Sequence, residues 1–137
     1  MDVRALKYPV IAFNDQVFYI YSTSSDLTVC NRGAVKHGWF KGMLLVDGTG
    51  LAYRVRDAVP IRKARFSWHS LVFDPLVEVM LEQDGVPYAI SVHEVRDLMY
   101  TSSIRWDGLE SRGDFEELRA KIAHAQTVAE LIQVLPE

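Results

Sequence analysis

Hydrophobic residues in the first two-thirds of the chain fall in short runs broken by turn chemistry. In the last third they recur at helical spacing. Val10, Ile11, Ala12 and Phe13 read as a strand. Asn14, Asp15 and Gln16 supply a turn, because Asn and Asp tolerate left-handed backbone and bond their own main chain. Val17, Phe18, Tyr19, Ile20 and Tyr21 read as the return strand, rich in aromatic and β-branched residues that suit a pleated surface. A polar loop over 22–26 and a short strand Leu27, Thr28, Val29, Cys30 are expected next. Residues 31–38 carry one helical turn ended by Gly38, with Trp39 and Phe40 entering the core.

The strongest local signal is a second hairpin. Residues 43–46 run into Asp47, Gly48, Thr49 and Gly50, and residues 51–56 return. An Asp-Gly pair between such runs marks a hairpin. Period two places Leu51, Tyr53 and Val55 on one face, with Arg54 and Arg56 pointing the other way. Residues 76–81 alternate only partly and read as a well-buried strand. Gln83, Asp84 and Gly85 form a turn, and Tyr88, Ala89 and Ile90 form a short strand expected to pair with 76–81. Pro87 cannot donate a ladder hydrogen bond, which favours an edge there.

The period then changes. Ser91 with Glu94 is a capping box, followed by Val92, Val95, Leu98 and Met99 on one helical face. Residues 100–113 read as a polar connection. Asp114 with Glu117 opens the next helix, striped by Phe115, Leu118 and Ile122. Thr127 with Glu130 opens the last, whose buried face is Val128, Leu131, Ile132 and Leu135, with Pro136 beyond its end. Strands first and helices last predict an α+β fold: a mainly antiparallel sheet from the N-terminal two-thirds, with C-terminal helices packed on it. No repeat, low-complexity tract or linker interrupts the chain, so residues 1–137 are expected to form a single α+β domain.

Composition narrows the function classes. The chain is 49% hydrophobic and 24% charged, which fits a globular domain and not a disordered one. No run approaches the roughly 20 apolar residues that cross a bilayer, and Met1, Asp2, Val3 and Arg4 lead into no apolar signal segment. Cys30 is the only cysteine, so no internal disulfide forms, and it reads as a small buried hydrophobe. The formal charge of −3 is uneven. Residues 1–65 carry ten Lys/Arg and five Asp/Glu, a net of +5; residues 66–137 carry five and thirteen, a net of −8. An acidic second half favours basic partners, unless the two halves fold together and interleave their charges.

Chemistry-bearing motifs are not found. His37, His69, His93 and His124 lack metal-ligand spacing, so no metal or cofactor is expected. The glycines at 48 and 50 lead into a strand, whereas a phosphate cradle leads into a helix. Ser67, His69 and Asp74 are close in sequence, but proximity along the chain is not triad geometry. The basic stretch 54–65, with Arg54, Arg56, Arg62, Lys63 and Arg65 near Tyr53, Phe66 and Trp68, is the feature that would suit nucleic acid or a small ligand. The acidic balance of the whole chain and the inward-facing Tyr53 argue for a solvated strand instead. Glu110, Asp114, Glu116, Glu117 and Glu130 complement helix dipoles or form an acidic docking patch.

Three stretches together carry a resemblance: the aromatic hairpin 13–21; residues 26–55, with Gly38, Trp39, Phe40, Lys41 and Gly42 leading into Leu44 to Val55; and residues 115–132. In this pattern of hydrophobic runs and turns the chain resembles small bacterial immunity proteins of polymorphic-toxin and contact-dependent inhibition systems. The resemblance implies a cytoplasmic, non-enzymatic protein that binds a cognate toxin domain, commonly a nuclease, and blocks it. On this reading Glu110, Glu116 and Glu117, with Trp106, are the expected partner-binding residues, and electrostatic steering plus an aromatic anchor would supply rate and affinity.

Overall fold

The computed structural model describes residues 1–15, 17–63, 76–102 and 115–135, apart from the side chains of residues 62, 63, 115 and 116. The first hairpin forms as its turn chemistry demands. β1 (Val10–Asn14) and β2 (Val17–Tyr21) pair antiparallel with Asn14 opposite Val17. Asp15 takes the left-handed conformation, φ 56°. Residues 22–28 depart from the expected loop and strand. Thr23 accepts a hydrogen bond from the Asp26 amide and starts α1 (Ser24–Thr28), so Leu27 and Thr28 end a helical turn. The strand β3 is only Val29–Asn31. A local cap outweighs the β propensity of one threonine and its neighbour. Asn31 caps α2 (Arg32–Lys36), and Gly38 at φ 73° ends that turn, with the Trp39 amide reaching back to the Ala34 carbonyl.

β4 (Leu44–Val46) and the long β5 (Leu51–Lys63) make the second hairpin. Its left-handed residue is Gly50, φ 84°, and not Gly48, whose amide donates to the Lys7 carbonyl. β6 (Leu76–Gln83) returns along β5, and β7 (Tyr88–Ala89) follows a turn at Gly85. β7 pairs with β5, Leu51 opposite Ala89, rather than with 76–81. The reason is geometric: the Asp84 amide closes onto Arg54 and the Ile90 amide onto Gly50, so the chain crosses from the end of β6 back along β5. The sheet runs β2-β1-β4-β5-β6-β3, with β7 beside β5, and every pair is antiparallel.

Among the described residues, three helices follow β7: α3 (Val92–Tyr100), α4 (Phe115–His124) and α5 (Val128–Val134). Two of the expected caps are present, Ser91 accepting from the Glu94 amide and Thr127 from the Glu130 amide, both at 3.1 Å, and the third, Asp114, lies outside the described residues. The fold is α+β, with its strands in the N-terminal part.

The inner strands β1 and β4, with the start of β5, bury both faces, which alternation arranges. Ile11, Phe13, Leu44, Val46 and Ala52 face Val95, Met99, Ile122, Val128, Leu131 and Ile132 of the helices. Val10, Ala12, Leu45 and Val55 face a second core with Leu27, Phe40, Met43, Val77, Val79 and Leu81. Each fully buried side chain of this kind contributes about 1.5–3 kcal/mol. A bulge between Val55 and Asp57 lets both Val55 and Ala58 point into the second core despite their odd spacing. No helix among the described residues is long and apolar enough to cross a membrane.

Candidate functional site

Of the partner-binding residues expected from the sequence, only Glu117 has a described side chain. Glu117 is exposed on α4 and pairs with Lys121 one turn on, at 3.5 Å. An exposed pair at that spacing contributes little stability. Glu116 lies in α4, and its side chain lies outside the described residues, as do Trp106 and Glu110. Ser67, His69 and Asp74 also lie outside them.

The basic stretch is interleaved with acid. Arg54 donates from Nη1 to the Gly42 carbonyl at 2.8 Å. Arg56 faces Asp84 at 3.5 Å across exposed surface. Arg62 stands opposite Glu78 in the β5–β6 ladder, and Arg65 lies outside the described residues. The two oppositely charged halves therefore meet along β5. Tyr53 packs toward the second core, so it offers no face beside Arg54 for stacking.

Other chemistry-bearing groups have local roles. His93 contacts Asp97 at 3.5 Å on exposed α3. No three metal-capable side chains cluster among the described residues. Cys30 is half-buried against the second core, and burial pushes its thiol pKa up, which disfavours the reactive thiolate.

Among the described residues, two concavities lie beside the sheet, a third of about 340 Å³ lies between α4 and α5, and the outer side of β5–β6 is exposed. An open groove of about 390 Å³ lies between the β4–β5 hairpin and α3, bordered by Arg54, Tyr88, Glu94 and Asp97. The Glu94 carboxylate accepts from the Ser91 hydroxyl at 3.3 Å, and Asp97 Oδ2 lies 3.5 Å from His93 Nε2. A slot of about 240 Å³ lies between the N-terminal 3-10 turn (Val3–Ala5), α1 and β6, and there the Met1 ammonium donates to the Leu81 carbonyl at 3.2 Å.

The exposed face is the outer side of β5–β6, where Ile61, Glu78 and Met80 also border that slot. Val77, Val79 and Leu81 point into the second core, so Glu78, Met80 and Glu82 point out. Met80 stands directly opposite Val59, and they are 49% and 40% exposed, with Ile61 beside them at 50%. The next outward pair along the ladder is Asp57 opposite Glu82. This corrects the expectation that residues 76–81 are buried on both sides. The signal was present in the sequence: Glu78 and Glu82 bracket Met80 at period two, which marks Met80 as outward.

In comparisons with known proteins the chain matches no family model, no curated protein and no solved structure. The geometry of the surface therefore carries the functional reading.

Proposed function

We propose that the chain is an immunity-type protein that binds a cognate bacterial toxin domain in the cytoplasm and blocks it by covering its active-site surface. The reading is carried by the exposed apolar residues Val59, Met80 and Ile61 on a strand pair whose other face buries Val55, Ala58, Val77, Val79 and Leu81. Single exposed apolar side chains are ordinary, but a cross-strand apolar pair with Ile61 beside it, in the stretch between two register shifts of the ladder, is the kind of surface that partners cover. The acidic balance of residues 66–137 supports a basic partner, and nuclease domains with cationic substrate clefts are such partners. The reading assigns the chain no reaction of its own. The alternative, a nucleic-acid or ligand module on the 54–65 stretch, is less well supported, because Arg54 and Arg56 are already engaged by Gly42 and Asp84.

The test is co-expression with the toxin carboxyl-terminal domain encoded by the neighbouring reading frame. Protection of the host cell and a stable complex in gel filtration are expected. Cells that die at the same rate with and without this chain, together with separate elution of the two proteins, would reject the reading.

A further inference from the structure

We infer that the partner docks on the outer face of β5–β6 through a basic–apolar segment, with an apolar side chain laid over Val59 and Met80 and a lysine or arginine seated at Asp57 and Glu82. The inference rests on the immunity-type reading and specifies its contact surface. Asp57 and Glu82 are register partners, and like charges directly opposite each other on a ladder destabilise it. Asp57 accepts a hydrogen bond from the adjacent Ala58 amide at 2.8 Å, a neutral donor. A cation on the partner, placed between the two carboxylates, complements both charges on binding. The neighbouring apolar pair lies two residues along the strand, so the two subsites are about 7 Å apart. A segment that presents an apolar and a cationic side chain at that spacing satisfies both at once. An all-apolar or an acidic segment satisfies at most one.

In the acidic second half, Asp84 is paired with Arg56 and Glu117 with Lys121. Glu82 of that half borders the exposed apolar pair, with Asp57 of the first half opposite it. Affinity then comes from covering Met80 and Val59, and association rate from the carboxylates.

The experiment measures binding kinetics of the toxin domain from the neighbouring reading frame to the full chain and to three variants: Met80→Glu, Glu82→Lys and Glu117→Lys. All three positions are exposed, and matching thermal melts establish that each variant folds. Met80→Glu is expected to weaken Kd about 100-fold, as for a central contact residue. Glu82→Lys is expected to slow association about tenfold and flatten its dependence on salt. Glu117→Lys is expected to leave both within about twofold, since its face lies on the helical side. If the wild-type chain binds and both β6 variants bind within about threefold of it, the docking inference falls and the immunity-type reading stands. If Glu117→Lys alone abolishes binding, the surface is on α4 and the inference is again wrong. A wild-type chain that does not bind overturns the functional reading and the inference together.

Discussion

The Nη2 of Arg96 lies 2.7 Å from the carbonyl oxygen of Ala125, and its Nε lies 3.2 Å from that of Ile122. One guanidinium on α3 thus satisfies two carbonyls at the end of α4, where a helix leaves its last acceptors without intrahelical donors. It also ties α3 to the connection that aims α5 at the sheet. Replacing Arg96 with Ala is expected to cost about 2–3 kcal/mol, since charged donors to part-buried carbonyls are worth more than neutral ones. Arg96→Lys is expected to recover less than half of that, because an ammonium does not reproduce the planar fork. Urea unfolding midpoints of the three proteins check both statements.

Asp47 is the polar counterpart in the other half of the fold, with only 2% of its surface exposed. Its Oδ1 accepts from the Thr49 amide and hydroxyl and from the Leu51 amide at 3.4 Å, and its Oδ2 accepts from the Lys7 amide at 3.2 Å. The carboxylate therefore closes the β4–β5 turn and holds the segment before β1 against it. Asp47→Ala leaves these donors unsatisfied under cover and is expected to cost about 2–3 kcal/mol. Asp47→Asn keeps one acceptor and is expected to cost about half as much. The order Asp, Asn, Ala in denaturant midpoint is the measurable outcome, and an Ala variant as stable as the wild type would contradict it.

What the sequence made legible was local. The capping residues Ser91 and Thr127 find their amides three residues on, and Gly38 ends its turn, because each decision is made within five residues. Leu27 and Thr28 were misplaced because the Thr23 cap, also local, competes with strand propensity and wins. The partner of β7 was not legible, since β-pairing joins residues far apart and Leu51 opposite Ala89 has no signature in either run. Bulges hide faces: past Arg56 the inward parity of β5 changes, so residues 51–56 do not tell which way Val59 points. The candidate surface was half legible. Glu78, Met80 and Glu82 show their common face in the sequence, whereas the placement of Val59 and Asp57 beside them depends on the register of a strand pair with a long connection.

Asp15 tests how firmly the first hairpin is fixed. It is the one non-glycine residue with positive φ among the described residues, at 56°. Left-handed backbone costs an L-residue roughly 1 kcal/mol, less for Asp and Asn, and almost nothing for Gly. Asp15→Gly is therefore expected to change stability by less than about 0.5 kcal/mol, its relief of strain offset by a looser unfolded chain. Asp15→Val is expected to cost about 1–2 kcal/mol, because a β-branched side chain crowds the left-handed conformation. Thermal melts distinguish the two, and an equally stable Val variant would show that the turn relaxes to another geometry.

Alkaline pH probes the packing of the tyrosines. Burial, with a smaller push from Asp2, raises the Tyr8 phenol to about 12. Its hydroxyl donates to the Val3 carbonyl at 2.8 Å, a bond that the phenolate loses. Tyr21 and Tyr53 are raised as well, with burial the main cause in each. The folded pKa lies above the unfolded one, so the unfolded chain releases these protons first as pH rises. The Tyr8 contribution to stability is complete below the unfolded value near 10 and is lost as pH climbs through about 12, and those of Tyr21 and Tyr53 are likewise lost above the unfolded value. The denaturant midpoint is expected to fall steadily across that window, and Tyr8→Phe is expected to make the fall shallower. Tyrosinate absorbance in the folded protein should lag behind that of the urea-unfolded chain over the same range. Coincident titration curves would mean that these phenols are as solvated in the fold as out of it.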